Sequence, residues 1–106
     1  MNILEAKKLL LTCPGATIQE NIDYIGMTQA ELAMRMGRSK EKLNELINGK
    51  AAITQDTAIK LEYVLGIPSD FWLALEKKYQ EDLLKIERLE FLQSCQAWLK
   101  RFPIKN

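Results

Sequence analysis

The residues able to do chemistry crowd into one short stretch. Between Thr28 and Lys50 the run TQAELAMRMGRSKEKLNELINGK places Gln29 after a threonine, Ser39 after Gly37-Arg38, and then Lys40, Glu41, Lys42, Asn44 and Glu45 opposite the apolar line Leu43, Leu46 and Ile47, with Lys50 just beyond. Amides, hydroxyls, ammonium groups and carboxylates at that spacing suit contacts to phosphate oxygens and to base edges. They do not suit catalysis. The chain has no histidine, which removes the commonest general base and the commonest zinc ligand. Cys13 and Cys95 are far apart and form no CxxC pair, and no glycine-rich phosphate cradle occurs. The expectation is a protein that is not an enzyme and has no metal site and no cofactor.

At 106 residues the chain can bury one core of ordinary size, marginal enough that oligomerisation is expected. Apolar residues make up 47% and charged residues 27%, a globular composition. Fifteen basic residues against 14 acidic ones leave a net charge of +1, so only local clustering can point to nucleic acid. Such clustering exists: Arg38, Lys40, Lys42 and Lys50 outnumber Glu41 and Glu45 by two. The opening MNILEAKKLLLTCPG has an apolar run too short for a signal segment, and no stretch is long and apolar enough to span a bilayer. With two cysteines read as reduced thiols, the expected location is cytoplasmic, without a membrane partner.

These side chains need helices to position them, and almost every segment repeats at helical spacing. A short amphipathic piece, Asn2 to Leu11, comes first. Pro14 then opens a helix over about 15–25 whose Ile18, Ile22 and Ile25 share a face, with Gly26 past its end. Thr28 to Glu31 reads as a capping box, threonine accepting from a backbone amide while the glutamate reaches back, and it starts a helix through Leu32, Ala33 and Met36 that Gly37 stops. Ser39 caps a third helix, ended by Asn48-Gly49. Thr54 starts a fourth, with Ala58, Leu61, Val64 and Leu65 inward and Gly66 as its stop. From Ser69 to about Phe102 no glycine or proline intervenes, so one long helix is expected, with a bend near 80–82. Its stripe Trp72, Leu75, Tyr79, Leu83, Ile86 and Leu89 calls for a partner helix or a fold-back.

A small residue, Ala33, inside one short helix and a glycine at a tight turn allow two helices to cross closely and steeply. The second helix, Ser39 to Asn48, is then exposed, and its first turn is the part that fits a major groove.

The same residues resemble a known family. TQAELAMRMGRSKEKLNELINGK is similar to the helix-turn-helix of the Cro/repressor (XRE) superfamily, and AAITQDTAIKLEYVLGIPSDFWLALEKKY resembles its continuation in the HigA/VapI-type antitoxin branch. The features PG, TQAELA, NGK, IT..TA.KLE..LG and FWL.LE..Y cover about 14–79. The tail LEFLQSCQAWLKRFPIKN resembles a helix that in longer relatives precedes a zinc peptidase module, an activity this histidine-free chain is not expected to have.

The resemblance implies an all-α fold: a five-helix, lambda-repressor-like helix-turn-helix domain with a long C-terminal helical extension. It divides the chain into an N-terminal segment (1–12), a DNA-binding domain (13–79) and an extension (80–106) for dimerisation or partner binding. It also implies a homodimer on double-stranded operator DNA that represses its own operon and binds a ribonuclease toxin. Carried over by position, Gln29 would contact phosphate, Ser39 would cap the recognition helix and touch phosphate, and Lys40, Glu41, Lys42 and Glu45 would read bases or phosphates. Lys50 would add a backbone contact.

Glu41 and Glu45 depart from the residues relatives often carry there, and a carboxylate repels phosphate, though it can accept from a cytosine amino group. The bland reading of the stretch is a solvated face, with Lys40 beside Glu41 and Glu45, and Lys42 beside Glu45, as ordinary helix surface charges. A second functional reading follows from the same acids: a protein-interaction module that neutralises a toxin or binds another partner, with weak or no specific DNA binding. Phe71, Trp72 and Leu75 are expected in the core, Ile53 packs alone from its loop, and Cys95 is an ordinary buried or interfacial thiol. Trp98, Leu99 and Phe102 beside Lys100 and Arg101 form either a partner-binding tip or a packed end.

Overall fold

Three side-chain hydroxyls set the starts of three helices. Thr28 Oγ1 accepts from the Glu31 amide at 3.1 Å, Ser39 Oγ from the Lys42 amide at 3.2 Å, and Thr54 Oγ1 from the Thr57 amide at 3.3 Å. Each satisfies an amide that the first helical turn cannot. In this computed structural model, which describes residues 3–101, the helices are α1 (Ile3–Leu10), α2 (Pro14–Ile25), α3 (Gln29–Met36), α4 (Lys40–Ile47), α5 (Gln55–Leu65) and α6 (Ser69–Arg101). No strand occurs among the described residues. The fold is all-α, as expected.

The chain divides into two compact units, with the boundary inside α6 between Tyr79 and Gln80. The larger, Thr12–Tyr79, holds α2 to α5 and the start of α6. Its core joins Ile18 and Ile22 of α2, Leu32, Ala33 and Met36 of α3, and Leu43, Leu46 and Ile47 of α4. Ile53, Ala58, Leu61 and Trp72 complete it. Ala33 is buried on α3, the helix that contacts α2, α4 and α5.

Gly37 adopts φ +68°, and the Arg38 amide reaches back to the Ala33 carbonyl at 2.9 Å, closing α3 in a left-handed turn. Only two residues, Gly37 and Arg38, separate α3 from the cap of α4.

Two glutamates staple segments distant in sequence. Glu62 of α5 accepts from the Ser69 amide at 2.9 Å and so caps the start of α6. Glu76 of α6 accepts from the Ile53 amide at 2.9 Å and holds the loop before α5 against the core. Both belong to the KLE and LE..Y features of the sequence.

The second unit contains α1 and α6 from Gln80 onward. Leu4 and Ile86 are buried, and Lys8 pairs with Glu90 at 3.8 Å between half-exposed side chains, a contact of small energetic weight. Within this unit α6 has the N-terminal helix as a neighbour.

Some sequence expectations need correction. Ile25 is 54% exposed, because the last turn of α2 projects past the core before Gly26 ends the helix. Phe71 is 43% exposed; Trp72 takes the core position, and Phe71 meets it edge-on with ring centroids 5.3 Å apart. Adjacent residues on a helix are about 100° apart, so both cannot point inward. Leu75 is half-buried against the core. The return hydrogen bond expected from Glu31 is absent among the described residues; only the threonine half of the capping box forms. The one long helix expected from Ser69 is present as α6, unbroken through 80–82. Cys95 is half-buried. The side chains of Trp98, Leu99, Lys100 and Arg101, and Phe102 altogether, lie outside the described residues.

Candidate nucleic-acid interface

α4 is eight residues long, and its inward line is fixed by Leu43, Leu46 and Ile47. At about 100° per residue, this leaves Glu41 and Glu45 one turn apart on the outermost line, Asn44 and Asn48 on one flank and Lys42 on the other. Lys40, Glu41, Lys42, Asn44 and Glu45 are all exposed, as are Ser39 before the helix and Lys50 after it. The structure therefore brings six of the seven sequence-predicted site residues, Ser39, Lys40, Glu41, Lys42, Glu45 and Lys50, onto α4 and its ends.

The exposure of these side chains fits the solvated-face reading as well as the DNA-contact one, but the ion pairs that the former allows within this set are not made. Among the described residues, Lys40, Glu41, Lys42, Glu45 and Lys50 take part in no salt bridge or side-chain hydrogen bond. Asn44 and Asn48 pair with each other, the Asn48 Nδ2 donating to Asn44 Oδ1 at 2.8 Å. The Lys50 amide donates to the Glu45 carbonyl at 2.8 Å, which holds the start of the following loop to the end of α4.

Gln29 stands apart at the first turn of α3. It is half-buried, and its Nε2 donates to Gln19 Oε1 at 2.7 Å, while Gln19 Nε2 donates to Asp23 Oδ1 at 2.8 Å. One amide hydrogen of Gln29 is thus committed to α2 and the side chain is oriented by it. Gln19 carries no signal of this in sequence, since the contact crosses from one helix to the next.

The local surplus of positive charge is the one counted along the sequence, since α5 adds one acid, Asp56, and one base, Lys60, but its cations are not all free. Arg38 is not a freely available cation: its Nη2 lies 3.1 Å from Asp56 Oδ2 of α5, and Lys60 Nζ lies 3.2 Å from that same oxygen. Lys60, with its hydrogen bond and charge, holds the Asp56 carboxyl below the usual carboxylate range; desolvation opposes it, and Arg38 adds smaller lowering contributions. Arg38, Ser39, Lys42 and Lys60 line, with Gly37, one open polar recess beside the start of α4. The spacing of Asp56 and Lys60 is an ordinary helical pair, but nothing in the sequence links either to Arg38.

Among the described residues no group of three histidine, cysteine, aspartate or glutamate side chains is placed to hold a metal ion, and no helix is long and apolar enough to cross a membrane.

Residues 25–72, from the end of α2 to the buried Trp72, match the helix-turn-helix family. An uncharacterised HTH-type transcriptional regulator of Escherichia coli K12, YddM, is 34% identical over 83 residues, covering 74% of this chain and 88% of its own. Antitoxin HigA-1 of Vibrio cholerae serotype O1 is 33% identical over 72 residues, 59% of this chain and 68% of its own. Among solved structures, the Pseudomonas aeruginosa antitoxin HigA with the higBA promoter superposes with a TM-score of 0.63 over 90% of this chain and 96% of its own, at 20% identity, a likeness of fold.

Proposed function

Because the chain belongs to the helix-turn-helix family of transcriptional regulators that includes the HigA antitoxins, we propose that it is a sequence-specific DNA-binding regulator, an autoregulating antitoxin that represses its own operon as a homodimer. The observation that carries this reading is the outer face of α4: a capped, exposed helix whose charged side chains have no partners of their own. Side chains without internal partners have no contact within the protein to break before they meet DNA.

In this reading the first turn of α4 enters the major groove. Lys40 and Lys42 contact phosphate or base edges, Glu41 and Glu45 accept from cytosine amino groups, and Ser39 and Lys50 contact the backbone at the two ends of the helix. Gln29 offers its remaining amide hydrogen to a phosphate. Two copies of α4 in the dimer meet successive major grooves about 34 Å apart on one side of a pseudo-palindromic operator. The protein acts in the cytoplasm without catalysis and without a cofactor, and its second partner is a ribonuclease toxin.

The test is fluorescence anisotropy of the full chain on the DNA upstream of its own gene and on a scrambled duplex, at about 50 and 200 mM salt. A preference of about a hundredfold or more for the upstream duplex is expected, within an affinity that falls about 10³-fold or more between the two salt concentrations. Weak and equal binding to both would overturn the reading.

The outward placement of Glu41 and Glu45 favours one other reading, a protein-interaction module with little specific DNA binding. Tight, specific binding to the upstream duplex without any co-purifying partner would exclude it.

A further inference from the structure

We propose that Arg38, Lys42 and Lys60 form a site for one backbone phosphate of double-stranded DNA, and that Asp56 is an internal anion that occupies two of these cations until the phosphate displaces it. The inference rests on the DNA-binding reading and deepens it, adding a contact from α5 and a residue that limits affinity.

The three cations come from three places in the chain, the turn after α3, the body of α4 and the middle of α5, and they line one recess with Ser39. Arg38 Nη2 and Lys60 Nζ converge on a single carboxylate oxygen, Asp56 Oδ2, at 3.1 and 3.2 Å. Two cationic donors meeting at one anionic oxygen is the arrangement that also holds a phosphate oxygen. Lys42 lines the same recess without an ion pair among the described residues, so the cluster keeps a surplus of positive charge even with Asp56 in place.

Asp56 is well suited to leave. Its side chain is 68% exposed, so water can take over its hydrogen bonds as it turns away, and exposed ion pairs of this kind hold weakly. A phosphate that replaces it gains Arg38, which retains further donors in its planar fork, together with Lys60 and Lys42. The recess adjoins the start of α4, so a helix seated in the major groove brings it to the flanking strand. The contact carries no base information. Asp56 therefore lowers affinity for all sequences alike, and the choice of operator is left to α4.

The experiment measures anisotropy on the upstream and scrambled duplexes between 50 and 200 mM salt for the full-length wild type, Lys60→Gln, Arg38→Gln and Asp56→Asn. Lys60→Gln and Arg38→Gln are expected to weaken both duplexes by about tenfold and to reduce the slope of log affinity against log salt by about 0.9. Asp56→Asn is expected to tighten both by several-fold with their ratio unchanged. Thermal melts of Lys60→Gln and Asp56→Asn should stay within about 4 °C of wild type, because the groups altered are exposed.

If the wild type prefers its upstream duplex while Lys60→Gln keeps the wild-type slope, the phosphate site is overturned and the regulator reading stands. If the wild type binds both duplexes weakly and equally while Lys60→Gln still lowers the slope, the regulator reading fails and the phosphate site stands. A loss of affinity in Asp56→Asn overturns the competitor role. Absence of all binding by the wild type at 50 mM salt overturns both proposals.

Discussion

Gly15, in the first turn of α2, lies against the main chain of Ile47 at the end of α4: a Cβ at position 15 would stand 2.6 Å from the Ile47 Cα and overlap its carbonyl group. The obstruction is backbone, not a side chain that can swing aside. Gly15 is buried at this contact, so the start of α2 seats directly on the end of the candidate recognition helix. Gly15→Ala is therefore expected to destabilise by about 2–3 kcal/mol in urea unfolding, even though the same change on an open helix surface stabilises by roughly 1 kcal/mol. A neutral or stabilising result would mean that α4 can move away from α2 at little cost.

Glu76 makes a second long-range contact, to the amide of Ile53, which is buried. Glu76→Ala should cost about 1.5–3 kcal/mol, since it leaves that amide without its charged acceptor. Glu76→Gln, which keeps an oxygen in place, should cost distinctly less. Hydrogen exchange at the Ile53 amide provides the local check: unchanged protection in Glu76→Ala would show that the staple does not hold the loop.

On α4, Lys42 and Glu41 should behave differently. Lys42→Glu is expected to weaken binding to specific and random duplexes alike by about tenfold or more, because it reverses a charge facing the backbone. Glu41→Gln should change the preference at one base pair, by about 1–3 kcal/mol between bases, with little change on random DNA. Equal effects of the two variants on both kinds of duplex would remove base reading from Glu41.

Asp56 gives a pH dependence with a defined sign. Lys60, then Arg38, lower its pKa in the folded chain, so its contribution to stability is complete above the ordinary aspartate value of about 3.9 and is lost as pH falls through the lower folded value. Carboxyl carbon titration by NMR should place Asp56 below the exposed aspartates, and Lys60→Gln should bring it back towards them. An Asp56 midpoint at or above the ordinary value would show that the pairing with Lys60 and Arg38 does not persist in solution.

Most of the helical framework was legible because it is written in local chemistry. Thr28, Ser39 and Thr54 are caps by residue type and spacing, and Gly26, Gly37 and Gly66 end helices at left-handed φ angles that other residues avoid. The inward line of α4 follows from periodicity alone. Errors fell where position along a helix matters more than residue type. Ile25 continues the apolar period of α2 but lies beyond the core, and Phe71 is apolar but shares its turn with Trp72, which fills the space.

The sequence by itself determined the all-α class, the helix-turn-helix between Thr28 and Asn48, and the side chains exposed on α4, since caps, glycines and hydrophobic period act over a few residues. Tertiary structure decided which charges on that surface are available. Arg38 counts as a free cation along the chain but meets Asp56, eighteen residues on, and Gln29 is turned by Gln19, ten residues back. Glu62 and Glu76 look like solvated acids until Ser69 and Ile53 are brought to them. Periodicity fixes the direction in which a side chain leaves its helix; its partner depends on how the helices cross, and that is set by packing around Gly15, Ala33 and Trp72.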